Sequence, residues 1–263
     1  MRDFSLEIYD TLLRTFLKEG YRFVTMEEYC TAPAKPNSRT IIVRHDVDKR
    51  APYSLKTAFM EHALGIRASY YFRVVPQSDQ REVIGQIAAW GHEIGYHYED
   101  MSLAKGDTEQ AHQLFLAHLE HFRQYYPVKT ICMHGAPTSA YDGRDLWKTY
   151  SYRDEGIIGE PYFDINFDET LYLTDTGRRW DGYNVSVRDK VPQQQRWNEQ
   201  GLTFHSTEDI LRWLTQTHPT TNILMTTHPQ RWTDNLLLWL YEAAIQRLKN
   251  CIKQKYYVQA HTK

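Results

Sequence analysis

Cysteine is scarce: Cys30, Cys132 and Cys251 are three in 263 residues, odd in number and widely spaced, which excludes a disulfide framework and a zinc ribbon. No apolar run approaches the roughly 20 residues of a membrane span. The opening Met1-Arg2-Asp3-Phe4-Ser5-Leu6-Glu7 lacks the apolar core of a secretion signal. Neither sign of charge dominates. The 31 basic and 33 acidic residues give a net charge of −2, so nucleic acid and anionic membrane are not expected as partners. Internal repeats, low-complexity stretches and linkers are also missing. A cytoplasmic protein with reduced thiols is the simplest expectation. What is abundant is aromatic: 14% of residues, with 19 Tyr and 7 Trp. Rings with one polar edge suit sugar faces, and they equally suit cores and interfaces.

Residues 6–19 have helical spacing and stop at Gly20. Residues 21–24 read as a short strand, and Thr25 with Glu28 forms a capping box for a following helix. Further strands are expected at 41–48, 68–74, 92–97, 130–133 and 222–227. Helices are expected at 52–64, 79–90, 107–125, 207–217 and 233–254. Residues 150–205 are less regular, rich in Tyr, Asp, Gly and Arg. Alternating strand and helix implies βα units around a parallel sheet or barrel. One α/β domain over residues 1–263 is expected, with residues 1–37 as an N-terminal extension packed on the barrel.

The densest chemistry follows Ile41-Ile42-Val43, where the strand runs into Arg44-His45-Asp46-Val47-Asp48. Asp46 and Asp48 are two apart and share a face on a strand. Two such carboxylates repel unless a cation or a proton lies between them. Arg44, Lys49 or Arg50 could equally satisfy them as plain ion pairs. His97 closes the run Gly91-His92-Glu93-Ile94-Gly95-Tyr96-His97, in which His92 reads as an exposed turn residue. Neutral imidazole is a common ligand for zinc and similar cations. His134 lies in a tight loop where Gly135 would permit close approach to a ligand. His228 ends the strand at 222–227, a place that suits a general acid or a stabiliser of negative charge. Each histidine alone is more often structural. Four strand ends carrying such groups converge on one face of a (β/α) barrel, and that convergence is the signal. Arg178, Arg179, Trp180, Asp181, Arg188 and Asp189 could bind substrate hydroxyls or phosphates, although a solvated surface is the commoner outcome. His62, His112, His118, His121, His205, His218 and His261 receive no role.

Taken in order, these segments resemble the polysaccharide deacetylase family (the NodB homology domain, carbohydrate esterase family 4). Arg44-His45-Asp46-Val47-Asp48 looks like its first motif, Gly91 to His97 like the first seven positions of its second, and Leu224 to His228 like its fifth. The resemblance spans roughly residues 38–232. It implies a distorted (β/α)7 barrel and metal-assisted hydrolysis of an N-acyl group, expected to be N-acetyl, on an amino sugar. It makes Asp46 the general base, Asp48 and His97 ligands of a divalent metal, expected to be zinc, and His228 the general acid. One position departs: the family's second histidine ligand falls at Met101, and a thioether is a poor partner for zinc held by carboxylate and imidazole. His134 is expected to replace it, with Glu99 and Asp100 as alternatives. His134-Gly135-Ala136-Pro137 stands where an aromatic-proline motif is usual. Arg44, His45, Tyr98, Glu99, Arg179 and Trp180 are expected to contact the substrate. The substrate would be an amino-sugar small molecule or glycan, such as a cytoplasmic sugar-nucleotide or lipid-linked intermediate of surface-polysaccharide biosynthesis. The alternative is a barrel that has lost hydrolysis and binds a glycan or sugar nucleotide within a biosynthetic complex.

Overall fold

Seven strands, β1 (Arg22–Val24), β2 (Thr40–Val47), β3 (Ser69–Phe72), β4 (Glu93–Tyr98), β5 (Ile131–Met133), β6 (Thr170–Thr174) and β7 (Asn222–Thr227), form one sheet in the computed structural model, which describes residues 1–253. His261 and the last residue of the helix expected over 233–254 lie outside the described residues. Every pairing is parallel, in the order β5-β4-β3-β2-β7-β6. β1 pairs with the first residues of β2, Arg22 opposite Thr40, below the stretch of β2 that pairs with β3. The chain is therefore an α/β protein whose curled sheet makes a distorted (β/α)7 barrel, open between β5 and β6.

The expected helices are present with slightly shifted ends: α1 (Leu6–Lys18), α2 (Met26–Thr31), α3 (Ser54–Ala63), α4 (Arg81–Ala89), then after a short α5 (Asp100–Leu103), α6 (Thr108–Arg123), and after α7 (Pro161–Asp164) and α8 (Gln194–Glu199), α9 (Thr207–Thr217) and α10 (Leu236–Lys253). Local chemistry explains the boundaries. The Ser5 hydroxyl accepts from the Ile8 N–H at the start of α1, and Gly20, at φ 79°, lets the chain leave it. Thr25 and Glu28 form the capping box of α2. Residues 150–205 are more ordered than their composition suggests, since they contain β6, α7 and α8.

Side-chain parity sorts the core into two layers. Ile42, Tyr71, Cys132, Tyr172 and Leu224 point into the barrel and pack together. Ile41, Val43, Tyr70, Ile131, Leu171 and Ile223, one residue out of phase, pack against the surrounding helices. Strands buried on both faces carry near-continuous apolar runs, which is why most were readable in the sequence. The inner apolar layer floors the barrel, and polar residues of the same parity stand above it at the strand ends.

Candidate active site

A cavity of about 660 Å³ opens at the carboxyl ends of the strands. Asp46, Asp48, His97, His134 and His228 all line it, together with Arg44. Each has the inward parity of its strand: 44, 46 and 48 follow Ile42, His97 follows Gly95, His134 follows Cys132, and His228 follows Leu224. The four strand ends singled out from the sequence therefore meet in one pocket.

Asp48 is the hub. Its Oδ1 lies 3.5 Å from Nε2 of both His97 and His134, and its Oδ2 lies 3.8 Å from Nε2 of His228. Those separations are long for hydrogen bonds, and Oδ1 is buried without a hydrogen-bond partner. Burial works to raise the Asp48 carboxyl, but the three histidines outweigh it and hold it well below the usual range. Both neighbouring imidazoles have their other nitrogen occupied. His97 Nδ1 donates to the Cys132 carbonyl at 2.9 Å. His134 Nδ1 donates to Glu99 Oε2 at 2.9 Å, and Arg73 grips Oε1 of the same carboxylate at 2.6 and 2.9 Å. Each ring, when neutral, thus presents an Nε2 lone pair beside the orphaned oxygen. One carboxylate and two imidazoles, with the distal nitrogens tied to a carbonyl and a carboxylate, fit a divalent cation such as zinc.

The set whose donor atoms, one from each residue, all lie within 4.8 Å of one another is a different one among the described residues: Asp46, His97 and Cys132. Its chemistry is poorer. Arg44 engages both oxygens of Asp46, through Nε at 2.8 Å and Nη2 at 2.6 Å. Burial pushes the Cys132 thiol well above its ordinary range, away from the thiolate that a metal requires. Burial opposes ionisation of Asp46 as well, yet Arg44 and His97 bring it below the ordinary value, so it stands ionised.

His228 faces Asp48 from β7 and is backed by Asp175, the residue that follows β6. His228 Nδ1 donates to Asp175 Oδ1 at 2.6 Å, and Arg231 donates to the same oxygen at 2.7 Å. The backbone N–H of His228 and the indole N–H of Trp232 donate to Oδ2 at 2.9 and 2.8 Å. Burial would raise Asp175, and Arg231 and His228 reverse that shift. The buried carboxylate fixes the ring with Nδ1 protonated and turns Nε2 to the cavity.

Several sequence expectations are placed elsewhere. His45 has the outward parity of β2. It bonds Glu61 and Thr227, both at 2.7 Å, and stacks on Tyr70 behind the sheet. Tyr98 likewise points outward, packing on Phe115 and Trp147. Trp180 packs on Phe4 and Trp232 and donates to Thr207, while Arg179 is paired with Asp181 at 2.6 Å. None of these four lines the cavity. Glu99 does not line the cavity and reaches the site through His134 and Arg73, which do. Asp100 bonds Tyr96 and His118, and Met101 is buried in the outer core. His92 is buried rather than exposed: it accepts from the Ala68 N–H at 3.1 Å and donates to the Ala58 carbonyl at 2.9 Å, joining β4 to α3. Reading the sequence missed Asp175 as the partner of His228. It also left Asp189 without a definite place; this residue lines the cavity and accepts from Tyr162 and Thr174. The available signal was an acidic residue directly after an apolar run, at Leu171-Tyr172-Leu173-Thr174-Asp175.

No family model matches this chain, and no curated protein matches it in sequence. Among solved structures, that of Bacillus subtilis PdaA, a family 4 carbohydrate esterase, is similar over 92% of this chain and 84% of that one, at 12% identity and a TM-score of 0.42. The two chains are far apart in sequence and in the detail of their paths.

Proposed function

We propose that this protein is a metal-dependent hydrolase that removes an N-acyl group, N-acetyl in the first instance, from an amino sugar. The observation that carries the reading is the orphaned Asp48 Oδ1 beside two imidazole Nε2 atoms, across the cavity from a carboxylate-backed His228. Asp48, His97 and His134 would hold the cation, which when bound supplies a Lewis acid for the acyl carbonyl and acidifies water. Asp46 accepts the proton of the attacking water, kept ionised and aimed by Arg44. As the C–N bond breaks, His228 gives its Nε2 proton to the departing nitrogen, and Asp175 stabilises the charged ring beforehand. The proton left on Asp46 returns to His228 through solvent, so the sum is water and amide in, amine and carboxylic acid out. The Arg44 clamp favours a second reading. A carboxylate with both oxygens engaged is a weak base, which suits a barrel that binds a glycan or sugar nucleotide without turning it over.

Zinc titrated into metal-stripped wild type by calorimetry should show one tight site, lost or strongly weakened in His97→Ala. Amine release from N-acetyl amino sugars and their nucleotide derivatives should follow metal loading and vanish in Asp46→Asn and His228→Ala. Tight zinc with no amine release from any of these substrates would favour the binding protein, and no zinc site would remove the basis of the hydrolase reading.

A further inference from the structure

α10 turns one stripe of side chains, Glu242, Gln246, Lys249 and Lys253, toward the cavity at helical intervals of four, three and four residues. Lys49, from the loop after β2, and Arg231, after β7, join them at the lining. Seven Lys and Arg and four Asp and Glu line the cavity, in a chain whose net charge is −2. Of the cations, Arg44, Arg73 and Arg231 are already paired, with Asp46, Glu99 and Asp175, so the excess lies in the lysines. Most of the acids there are already engaged: Asp46 by Arg44, Asp189 by Tyr162 and Thr174, Glu242 by Arg50 at 2.5 Å. Lys49 is 4.0 Å from Glu242, beyond hydrogen-bond range. Among the described residues Lys249 and Lys253 make no ion pair or hydrogen bond. Lys253 is partly buried, and burial with Arg231 beside it brings its ammonium down to about 8. An arriving anion would relieve that cost. Several cations at one mouth exceed what a single carboxylate needs and match the multiple charge of a phosphate or diphosphate.

We propose that Lys49, Lys249, Lys253 and Arg231 form a phosphoryl subsite, so that the amino sugar taken by this pocket is carried on a phosphoester and is not part of a neutral glycan. The identity of the sugar rests on the hydrolase reading above, whereas the anion subsite requires no turnover.

The probe is inorganic pyrophosphate, titrated into the full chain with and without a chelator. The variants are Lys249→Gln with Lys253→Gln, and Arg247→Gln, which lies on α10 outside the cavity lining. One site should persist after metal removal, weaken about tenfold or more in the double variant, and survive in Arg247→Gln. Absence of binding in wild type, or equal loss in the Arg247 variant, overturns the proposal. Competition then separates the sources of the phosphoryl group. Displacement of the probe by a nucleoside diphosphate amino sugar assigns a nucleotide carrier, and displacement by a short-chain prenyl phosphate amino sugar assigns a lipid carrier. Displacement by neither, while the free N-acetyl amino sugar is hydrolysed, overturns the subsite and leaves the hydrolase reading standing. Intact, variant-sensitive pyrophosphate binding with no hydrolysis of any substrate supports the subsite and sinks the hydrolase reading alone.

Discussion

Met101 lies in the outer core, and the side chain beside Asp48 and His97 is His134, from a neighbouring strand end. Zinc affinity should therefore be indifferent to residue 101 and sensitive to the His134–Glu99 pair. Met101→Leu, a swap that keeps volume, should cost less than about 1.5 kcal/mol of stability. It should leave a calorimetric zinc titration unchanged. His134→Ala should abolish tight binding, and Glu99→Gln should weaken it by about tenfold or more, because the carboxylate fixes the ring's tautomer and basicity. Zinc affinity that falls as far in Met101→Leu as in His134→Ala would remove His134 from the site. The limits of sequence reading at this scale are physical. Asp46, Asp48, His97, His134 and His228 were readable as strand-end residues because each stands at or near the end of an expected strand. His45 and Tyr98 were adjacent in sequence to such residues, but strand parity turns adjacent side chains to opposite faces of the sheet.

Among the elements, β4 is held against β3 by an absence. A Cβ on Gly95 would meet the ring of Tyr71 and come within 2.9 Å of the Thr130 carbonyl oxygen. Tyr71 fills the barrel interior there, bonding Thr130 at 2.9 Å, and Gly95 leaves it the room. Gly95→Ala should destabilise the fold by about 1–3 kcal/mol, as overpacking of a filled core does. It should also displace His97 two residues on, so zinc affinity should drop with stability. Gly135→Ala is the contrast, since nothing lies within 4 Å of its added carbon. Paired chemical melts and zinc titrations separate the two, and equal effects would show that space around Gly95 is not what limits the strand. That open space also means the loop after β5 needs no glycine at 135 on steric grounds. β6 escaped the sequence reading because its five residues carry Thr at both ends and sit in a stretch dense in Asp, Gly and Arg. With β6 went Asp175, so the partner of His228 was invisible until the strands were assembled.

For the molecule as a whole, the barrel is open between β5 and β6, and Glu160 closes part of that side. β5 and β6 do not pair; instead the segment around Gly159 lies beside β5, with the Ile131 N–H donating to the Gly159 carbonyl at 2.9 Å. The Glu160 side chain then accepts from the backbone N–H of Met133 at 3.0 Å and of Tyr162 at 2.6 Å, tying α7 to the end of β5 immediately before His134. Burial pushes its carboxyl from 4.5 up to about 7, against the pull of those two N–H groups and of Arg44 and Arg144. The folded chain therefore holds this proton more tightly than the unfolded chain. As pH rises from about 4.5, the unfolded state releases its proton first and gains the advantage. The stabilisation from this group is full below that pH, falls through the window up to about 7, and is constant above it. The whole effect is on the order of 3 kcal/mol. Glu160→Gln keeps a neutral side chain that can still accept from a backbone N–H, so it lacks this dependence. Urea melts at pH 5 and pH 8 should show wild type losing stability relative to Glu160→Gln as pH rises, a comparison in which the opposite contributions of Asp48 and Asp175 cancel. Parallel behaviour of the two proteins would mean that Glu160 is ionised throughout, and that the seam beside His134 is held by a charged carboxylate rather than a protonated one.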